Sequence, residues 1–260
     1  MITSVENAQV KTLVKLLEKA KERRKSGCFP VEGIRMFREL PRERLQAVYV
    51  SERFEAEHRA DGLLKDVEYE VLSDSLFNRV SGTVSPQGIL CLVRQEKYEL
   101  KDLLPKDRPA MILVLESIQD PGNLGTMIRT GEGAGLSGVL VNKTTVDYYN
   151  PKTIRSTMGS IYRIPFVVAE DLKDAVCSLQ KEGVRFAAAD LSAELEYDEA
   201  DYRGSCGFFI GNEGNGLSRE ISDLADQKIR IPMEGKVESL NAAIAASLCM
   251  YEAKRQRKNH

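Results

Sequence analysis

The sequence predicts a mostly parallel α/β fold in two parts, a smaller unit followed by a larger one. Three observations predict it. Short apolar runs alternate with helix-like stretches along most of the chain. The pattern is interrupted by RQEKYELKDLLPKDRP (94–109), which is charged and ends in prolines. It then restarts with stronger strands. At 260 residues the chain is long enough for two domains. The expected division is 1–95, a linker at 96–109, and 110–260.

The elements follow in order. Val10, Leu13, Val14, Leu17 and Ala20 recur at helical spacing, so residues 6–25 are expected to form one amphipathic helix. Lys11, Lys15, Lys19, Lys21, Arg23, Arg24 and Lys25 stand on it against Glu18 and Glu22. Strands are predicted at 45–51, 67–72 and 88–93, with helices around 33–40, 53–64 and 73–79. In the second part strands are predicted at 110–116, 138–142, 163–168, 183–190, 206–212 and 228–232. Helical stretches separate nearly all of these, which indicates a parallel sheet covered on both faces. Ligands of such sheets bind in the loops beyond the carboxyl ends of the strands.

Composition narrows the chemistry. No apolar stretch approaches the ~20 residues that cross a bilayer, and the N-terminus lacks the pattern of a secretory signal, so the expected compartment is the cytoplasm. The five cysteines are scattered and form no C-x-x-C, which argues against a disulfide framework and against a metal site. His58 and His260 are the only histidines, so a histidine general base or a Ser-His pair is nearly excluded by inventory. The net charge of -2 hides two basic patches, one at 11–25 and one at Lys254, Arg255, Arg257 and Lys258. Local basic patches on a neutral body suit contact with nucleic acid.

Three strand-end loops in the second part are rich in Gly, Asn and Pro: 116–135, 210–218 and 231–243. Glycines admit close approach of a backbone to a ligand, and helix starts offer free N–H groups. Three such loops at consecutive strand ends predict a shared pocket. GAGLSG (133–138) matches G-x-G-x-x-G, but a helix-like stretch precedes it and a strand follows. That order is the reverse of a dinucleotide site, so these glycines are expected to end a helix.

DPGNLGTMIRT, GNEGNGLS and IPMEGKVESLNAAIAAS, in that order, resemble the three motifs of the SpoU (TrmH-type) RNA ribose methyltransferases of the SPOUT superfamily. The resemblance covers 110–256. SVENAQVKTLVKL, VEGIRMFREL and SPQGIL resemble the RNA-binding domain that accompanies the ribosomal-RNA branch. One departure is Gly131 and Gly133, where the family's first motif continues in alanines; the helix end is expected to be looser for it.

The resemblance implies methyl transfer from S-adenosylmethionine to a ribose 2′-hydroxyl of RNA, ribosomal RNA favoured over transfer RNA. It also implies a SPOUT-type sheet with a C-terminal trefoil knot, and a homodimer. Leu191, Gly211, Ile231, Leu240 and Asn241 are then expected to hold the cofactor, with Gly211 leaving room for it. Arg129, Asn123, Glu213, Ser239 and Asn241 are the expected catalytic set. Two roles are open to Arg129: general base, or a fork that clamps the neighbouring phosphate and lowers the hydroxyl's pKa. Lys11, Lys15, Lys21, Arg23 and Arg24 are expected to contact RNA phosphates. Ser239 doubles as an expected N-cap for the alanine-rich helix after it. A non-catalytic RNA-binding factor on the same fold is the alternative.

Overall fold

The computed structural model describes residues 1–258. In chain order the elements are α1 (Ala8–Glu18), α2 (Ala20–Ser26), β1 (Cys28–Glu32), α3 (Ile34–Glu39), β2 (Leu45–Ser51), α4 (Glu52–His58), β3 (Glu70–Leu72), α5 (Asp74–Val80) and β4 (Ile89–Arg94). There follow β5 (Met111–Leu115), α6 (Pro121–Ala134), β6 (Gly138–Val141), α7 (Pro151–Thr157), β7 (Phe166–Val168), α8 (Leu172–Lys181), β8 (Arg185–Ala189), β9 (Cys206–Ile210), α9 (Arg219–Ser222), β10 (Gln227–Ile229) and α10 (Ala242–Lys258). They divide into two compact units, one of residues 1–96 with 147–162, the other of 97–146 with 163–260.

The first unit is built on a four-stranded sheet of order β1-β4-β2-β3, in which only the β2–β3 pair is parallel. Val10, Leu13 and Leu16 of α1 pack with Leu76, Phe77 and Leu90 to form a core. Residues 147–162, placed in the second part by the sequence division, fold with this unit instead. Tyr149 stacks on Phe29 with ring centroids 4.3 Å apart, and the Tyr162 hydroxyl donates to the Met36 carbonyl at 3.2 Å. Strand β1 was not expected, because Pro30 breaks an otherwise apolar run and prolines are disfavoured in strands. Its place at the sheet edge accommodates that proline.

The expected single helix at 6–25 is two helices, broken at Lys19, whose backbone is extended (φ -118°, ψ 112°). Arg23 explains the break and corrects its own assignment as an RNA contact. Only 2% exposed, it turns inward and donates through Nη1 to the carbonyls of Leu16 and Leu17, at 2.6 and 3.1 Å. Those carbonyls belong to the last turn of α1, where helices leave acceptors unsatisfied. Nε and Nη2 donate to Asp147 Oδ2 at 2.8 and 2.6 Å. Every edge of the guanidinium is therefore engaged inside the unit, and no phosphate can reach it. Lys11, Lys15, Lys21 and Arg24 remain exposed, Lys11 with Glu6 at 2.5 Å.

The second unit holds a six-stranded, wholly parallel sheet of order β10-β8-β9-β5-β6-β7. Ile112, Val114, Phe186 and Phe209 are fully buried in its core, the two phenylalanines stacked at 4.9 Å. The stretch expected to be a linker belongs to this unit: Leu103 is fully buried in the same core. The Asp102 carboxylate accepts from Glu99 N at 2.7 Å and closes the turn that inserts it. Helix α6 runs to Ala134 and stops at Gly135, which is left-handed (φ 96°), so GAGLSG ends a helix as expected. The helix end is not loosened by Gly131. A Cβ there would lie 2.5 Å from Leu136 Cδ2, and its carbonyl accepts from both Gly135 N and Leu136 N.

Removing either half of the buried Arg23–Asp147 pair strands a charge and unties the end of α1. Arg23→Met or Asp147→Ala is expected to cost on the order of 3 kcal/mol, read as a lowered urea midpoint for the intact chain.

Candidate functional site

The four neighbouring strands β10, β8, β9 and β5 end on one side of the sheet, and three of the four loops that follow are those singled out from sequence. The loops after β8, β9 and β10 line a cleft of about 390 Å³. Leu191, Gly211, Glu213, Ile231, Ser239 and Leu240 are all on its wall. Asn123, Asn241 and Arg129 are not lining residues; the first two reach the cleft's edge through hydrogen bonds.

Glu213 organises those bonds. Its carboxylate accepts from Gln119 N at 3.1 Å, Asp120 N at 3.2 Å and Asn123 Nδ2 at 3.0 Å. The loop after β9 is thereby fastened to the N-terminus of α6, where unpaired N–H groups favour an anion. Burial raises the Glu213 pKa, but the donations from Asn123, Gln119, its own N–H and Asp120 outweigh that and hold it below the ordinary glutamate value. Asn123 passes the connection on: its Oδ1 accepts from Asn241 Nδ2 at 3.0 Å. Asn241 Oδ1 in turn accepts from Ala243 N and Ile244 N at 2.9 and 3.4 Å. The N-cap of α10 is thus Asn241, not Ser239. Ser239 stays exposed on the cleft wall.

Gly211 answers to a different constraint from the one expected. A Cβ there would meet Gly216 C at 2.1 Å and Leu217 N at 2.2 Å. The chain folds back on itself, with Asn212 N and Gly216 N each donating to the other's carbonyl, so the turn rather than a ligand requires glycine. Leu191, 63% exposed, is presented by an Asp190 turn whose carboxylate accepts from Ser192 N and Oγ at 2.9 and 2.7 Å. Those two donations lower the Asp190 pKa.

Several supports were not singled out from sequence. Ser117 is left-handed (φ 57°) directly after β5, an uncommon conformation for a side-chain-bearing residue. Its N–H donates to Asn142 Oδ1, and its carbonyl accepts from Gln119 Nε2 and Asn212 Nδ2. Glu116 Oε2 accepts from Ser218 N at 2.7 Å and fixes the far end of the second loop. Of this group, only Asn212 lies next to a residue expected from sequence, the strand-end Gly211.

Arg129 lies six residues after Asn123 on α6, about 9 Å along the axis. It is exposed and makes no hydrogen bond or ion pair among the described residues. Burial pushes the thiols of Cys91 and Cys249 up to about 12 and that of Cys206 up to about 11, so these three offer no alternative base. Among the described residues no cluster of three His, Cys, Asp or Glu side chains is arranged to hold a metal, and no helix is long and apolar enough to cross a membrane.

Residues 110–251 match the model of the SpoU rRNA Methylase family, and residues 7–91 match that of the MRM3-like substrate binding domain. The chain is 34% identical over 250 residues to the 23S rRNA (guanosine(2553)-2′-O)-methyltransferase RlmP of Bacillus subtilis, covering 96% of this chain and 97% of that one. Among solved structures, the SpoU methyltransferase AviRb from Streptomyces viridochromogenes, in complex with AdoMet, aligns with a TM-score of 0.87 at 27% identity over 97% of this chain and 99% of that chain. The AdoMet-bound rRNA methyltransferase from Sinorhizobium meliloti aligns at 0.85 and 28% identity over 98% and 97%.

Glu213→Gln is expected to cost about 1 kcal/mol at neutral pH, since the clasp is solvent-exposed and screened. The folded carboxyl titrates below its unfolded value, so its contribution is present above the ordinary glutamate pKa and vanishes as pH falls through the lowered one. Melting temperatures of the two proteins should differ at pH 7 and converge in acid.

Proposed function

The chain belongs to the SpoU rRNA methylase family, and from that premise we propose how its residues carry out the reaction of an S-adenosylmethionine-dependent RNA 2′-O-methyltransferase, with ribosomal RNA as substrate. The observation that carries the assignment of residues is one cleft lined by the loops after β8, β9 and β10, the last two tied to the start of α6 through Glu213, Asn123 and Asn241.

The cleft fits the cofactor in shape and charge. Leu191, Ile231, Met233 and Leu240 give apolar cover for a purine, and Gly211 keeps the turn beneath them closed. Its lining carboxylates are Asp190, Glu213 and Glu238, and its one lining cation is Arg230, which is paired with Glu196 at 3.1 Å. A net negative wall suits a ligand bearing a sulfonium and an ammonium group. S-adenosylmethionine supplies an electrophilic methyl carbon when bound.

The protein's own part is to hold the ribose and manage a proton. With the donor held by the cleft, the ribose 2′ oxygen would take the methyl group, the sulfur would leave as a neutral thioether, and the hydroxyl proton would pass to solvent water. Asn123, Glu213 and Asn241 have their polar atoms committed to one another, so we assign them as positioning residues. Ser239 has its hydroxyl on the cleft wall and is assigned to the ribose or the methionine end. Of the two roles open to Arg129 we favour the clamp. A guanidinium standing in water keeps its charge, and a base would need burial to lose it. An uncommitted cation beside the reacting ribose stabilises the phosphate and the developing alkoxide.

The same reading carries a trefoil knot, a homodimer and the cytoplasm as compartment. The strand order, with β9 drawn between β5 and β8, supports the knot. For the dimer, Ile244 and Tyr251, 49% and 48% exposed, stand two turns apart on a single face of α10, with half-buried Leu248 between them. A second copy of the chain is assigned to that stripe.

Arg129→Ala is expected to lower the rate of tritiated methyl transfer into unmodified ribosomal RNA by about 10²–10³. Affinity for S-adenosylmethionine should stay within roughly twofold, and the melting temperature should not move, because the exposed side chain makes no hydrogen bond or ion pair among the described residues. Turnover near that of the unaltered enzyme would remove Arg129 from the chemistry; no label from the unaltered enzyme would remove the activity itself. Ile244→Asp with Tyr251→Asp should sediment as a monomer where the parent sediments as a dimer.

A further inference from the structure

A groove of about 380 Å³ lies wholly within the first unit. Val14, Leu17 and Glu18 of α1 form one wall, Arg79 and Gly82 at the end of α5 another, and Lys152 and Arg155 of α7 the third. Arg155 is half-buried, and its Nη1 stands 4.0 Å from where a Cβ on Gly82 would sit. Arg79 is exposed. Neither guanidinium has a hydrogen bond or ion pair among the described residues.

That vacancy is not the habit of this unit. Arg23 borders the same groove and is closed off by Asp147 and two carbonyls. Arg44, 3% exposed, donates to the Arg94 carbonyl at 3.1 Å. The unit supplies partners for the arginines it buries, yet Arg155 gives up part of its water for no anion. A half-desolvated guanidinium without a partner is unfavourable, and a planar fork facing a cavity matches phosphate oxygens. Glu18 is the groove's only carboxylate against Arg79, Lys152 and Arg155. Exposed Lys15, next in the chain to Val14, continues the positive charge along α1, which suits a chain of phosphates better than a single small anion.

We propose that this groove grips two neighbouring backbone phosphates of the RNA substrate, one at Arg155 and one at Arg79; the proposal rests on the RNA methyltransferase reading above. It has a consequence for domain organisation. Arg79 comes from the part matching the substrate binding domain and Arg155 from the part matching the methylase family, so neither matched segment holds the groove alone. The insertion 147–162 would then be a piece of the methylase sequence given over to reading RNA.

The test compares the full chain with an Arg79→Gln/Arg155→Gln variant, using an unmodified 23S rRNA transcript as probe across a salt series. Each lost phosphate contact should flatten the plot of log affinity against log salt by about 0.7–0.9, so the slope should fall by about 1.5. KM for RNA should rise roughly tenfold, with kcat at saturating RNA and affinity for S-adenosylmethionine within about twofold. Lysine at both positions keeps the charge and should restore most of the slope. Should the double variant not fold, Arg79→Gln alone, exposed and unpaired, should show about half the change in slope. An unaltered slope, or a loss falling on kcat or on cofactor affinity rather than on KM, overturns the proposal. A parent enzyme that methylates RNA while the variant binds it with the parent's salt dependence sinks the groove and leaves the activity standing.

Discussion

One carboxylate holds the site together. Glu213 leaves the loop after β9 and takes three donors from the loop after β5, two of them backbone N–H groups at the start of α6. A neutral amide would offer one acceptor oxygen and bring its own N–H₂ against those donors; an ionised carboxylate offers only acceptors. The helix terminus adds a field of the right sign. Because β9 and β5 are hydrogen-bonded neighbours, with Ile210 opposite Leu115, the clasp joins loops whose bases are already fixed. Asn123 then carries the restraint to Asn241 and so to the first turn of α10. Left-handed Ser117 belongs to the same arrangement. Its unfavourable backbone persists because Asn142, Gln119 and Asn212 bond it from three directions.

Much of this architecture was legible in the residues. The apolar runs of the second unit became its parallel strands with ends shifted by a few positions, because buried strands read as nearly continuous hydrophobics. The three Gly- and Asn-rich loops were visible as strand-end features. Other parts were not legible, for physical reasons that differ. Strand β1 was hidden by Pro30, which only an edge position tolerates. Arg23 looked like one more cation of a basic helix; its inward turn depends on Asp147, more than a hundred residues away, and no local pattern carries that. The same distance hides the membership of 147–162 in the first unit. At Gly211 the structure shows a turn that requires glycine, a reason that could not be read locally, since a glycine needed by a turn and one needed by a ligand look alike in sequence.

The arginines differ in what lies beside each of them, and we assign their roles accordingly. Arg23 is structural because four of its five N–H donors are met inside the unit and its charge is paired with Asp147. Arg257 likewise spends its donors on the carbonyls of Tyr202, Ala110 and Gly204, fastening the last turn of α10. Arg129 and Arg155 are left with theirs unspent. Since a guanidinium is always charged and always donates, the functional ones are best found by asking which have been given no acceptor. Basic composition alone does not separate them, and it misplaced Arg23.

The same bookkeeping bears on the charge of the cleft. The reaction moves positive charge off sulfur, so strong anions held close to it would stabilise the ground state more than the transition state and slow transfer. Two of the lining acids are already occupied: Asp190 accepts from Ser192, and Glu213 from the N-terminus of α6. Glu238 is exposed and screened by water. Under the proposed assignment, their combined charge prefers a cationic ligand to a neutral one. If the donor binds there as we propose, committed carboxylates favour the charged donor over its uncharged product. The uncommitted charge stands instead at Arg129, where we place the oxygen that becomes more negative as the reaction proceeds.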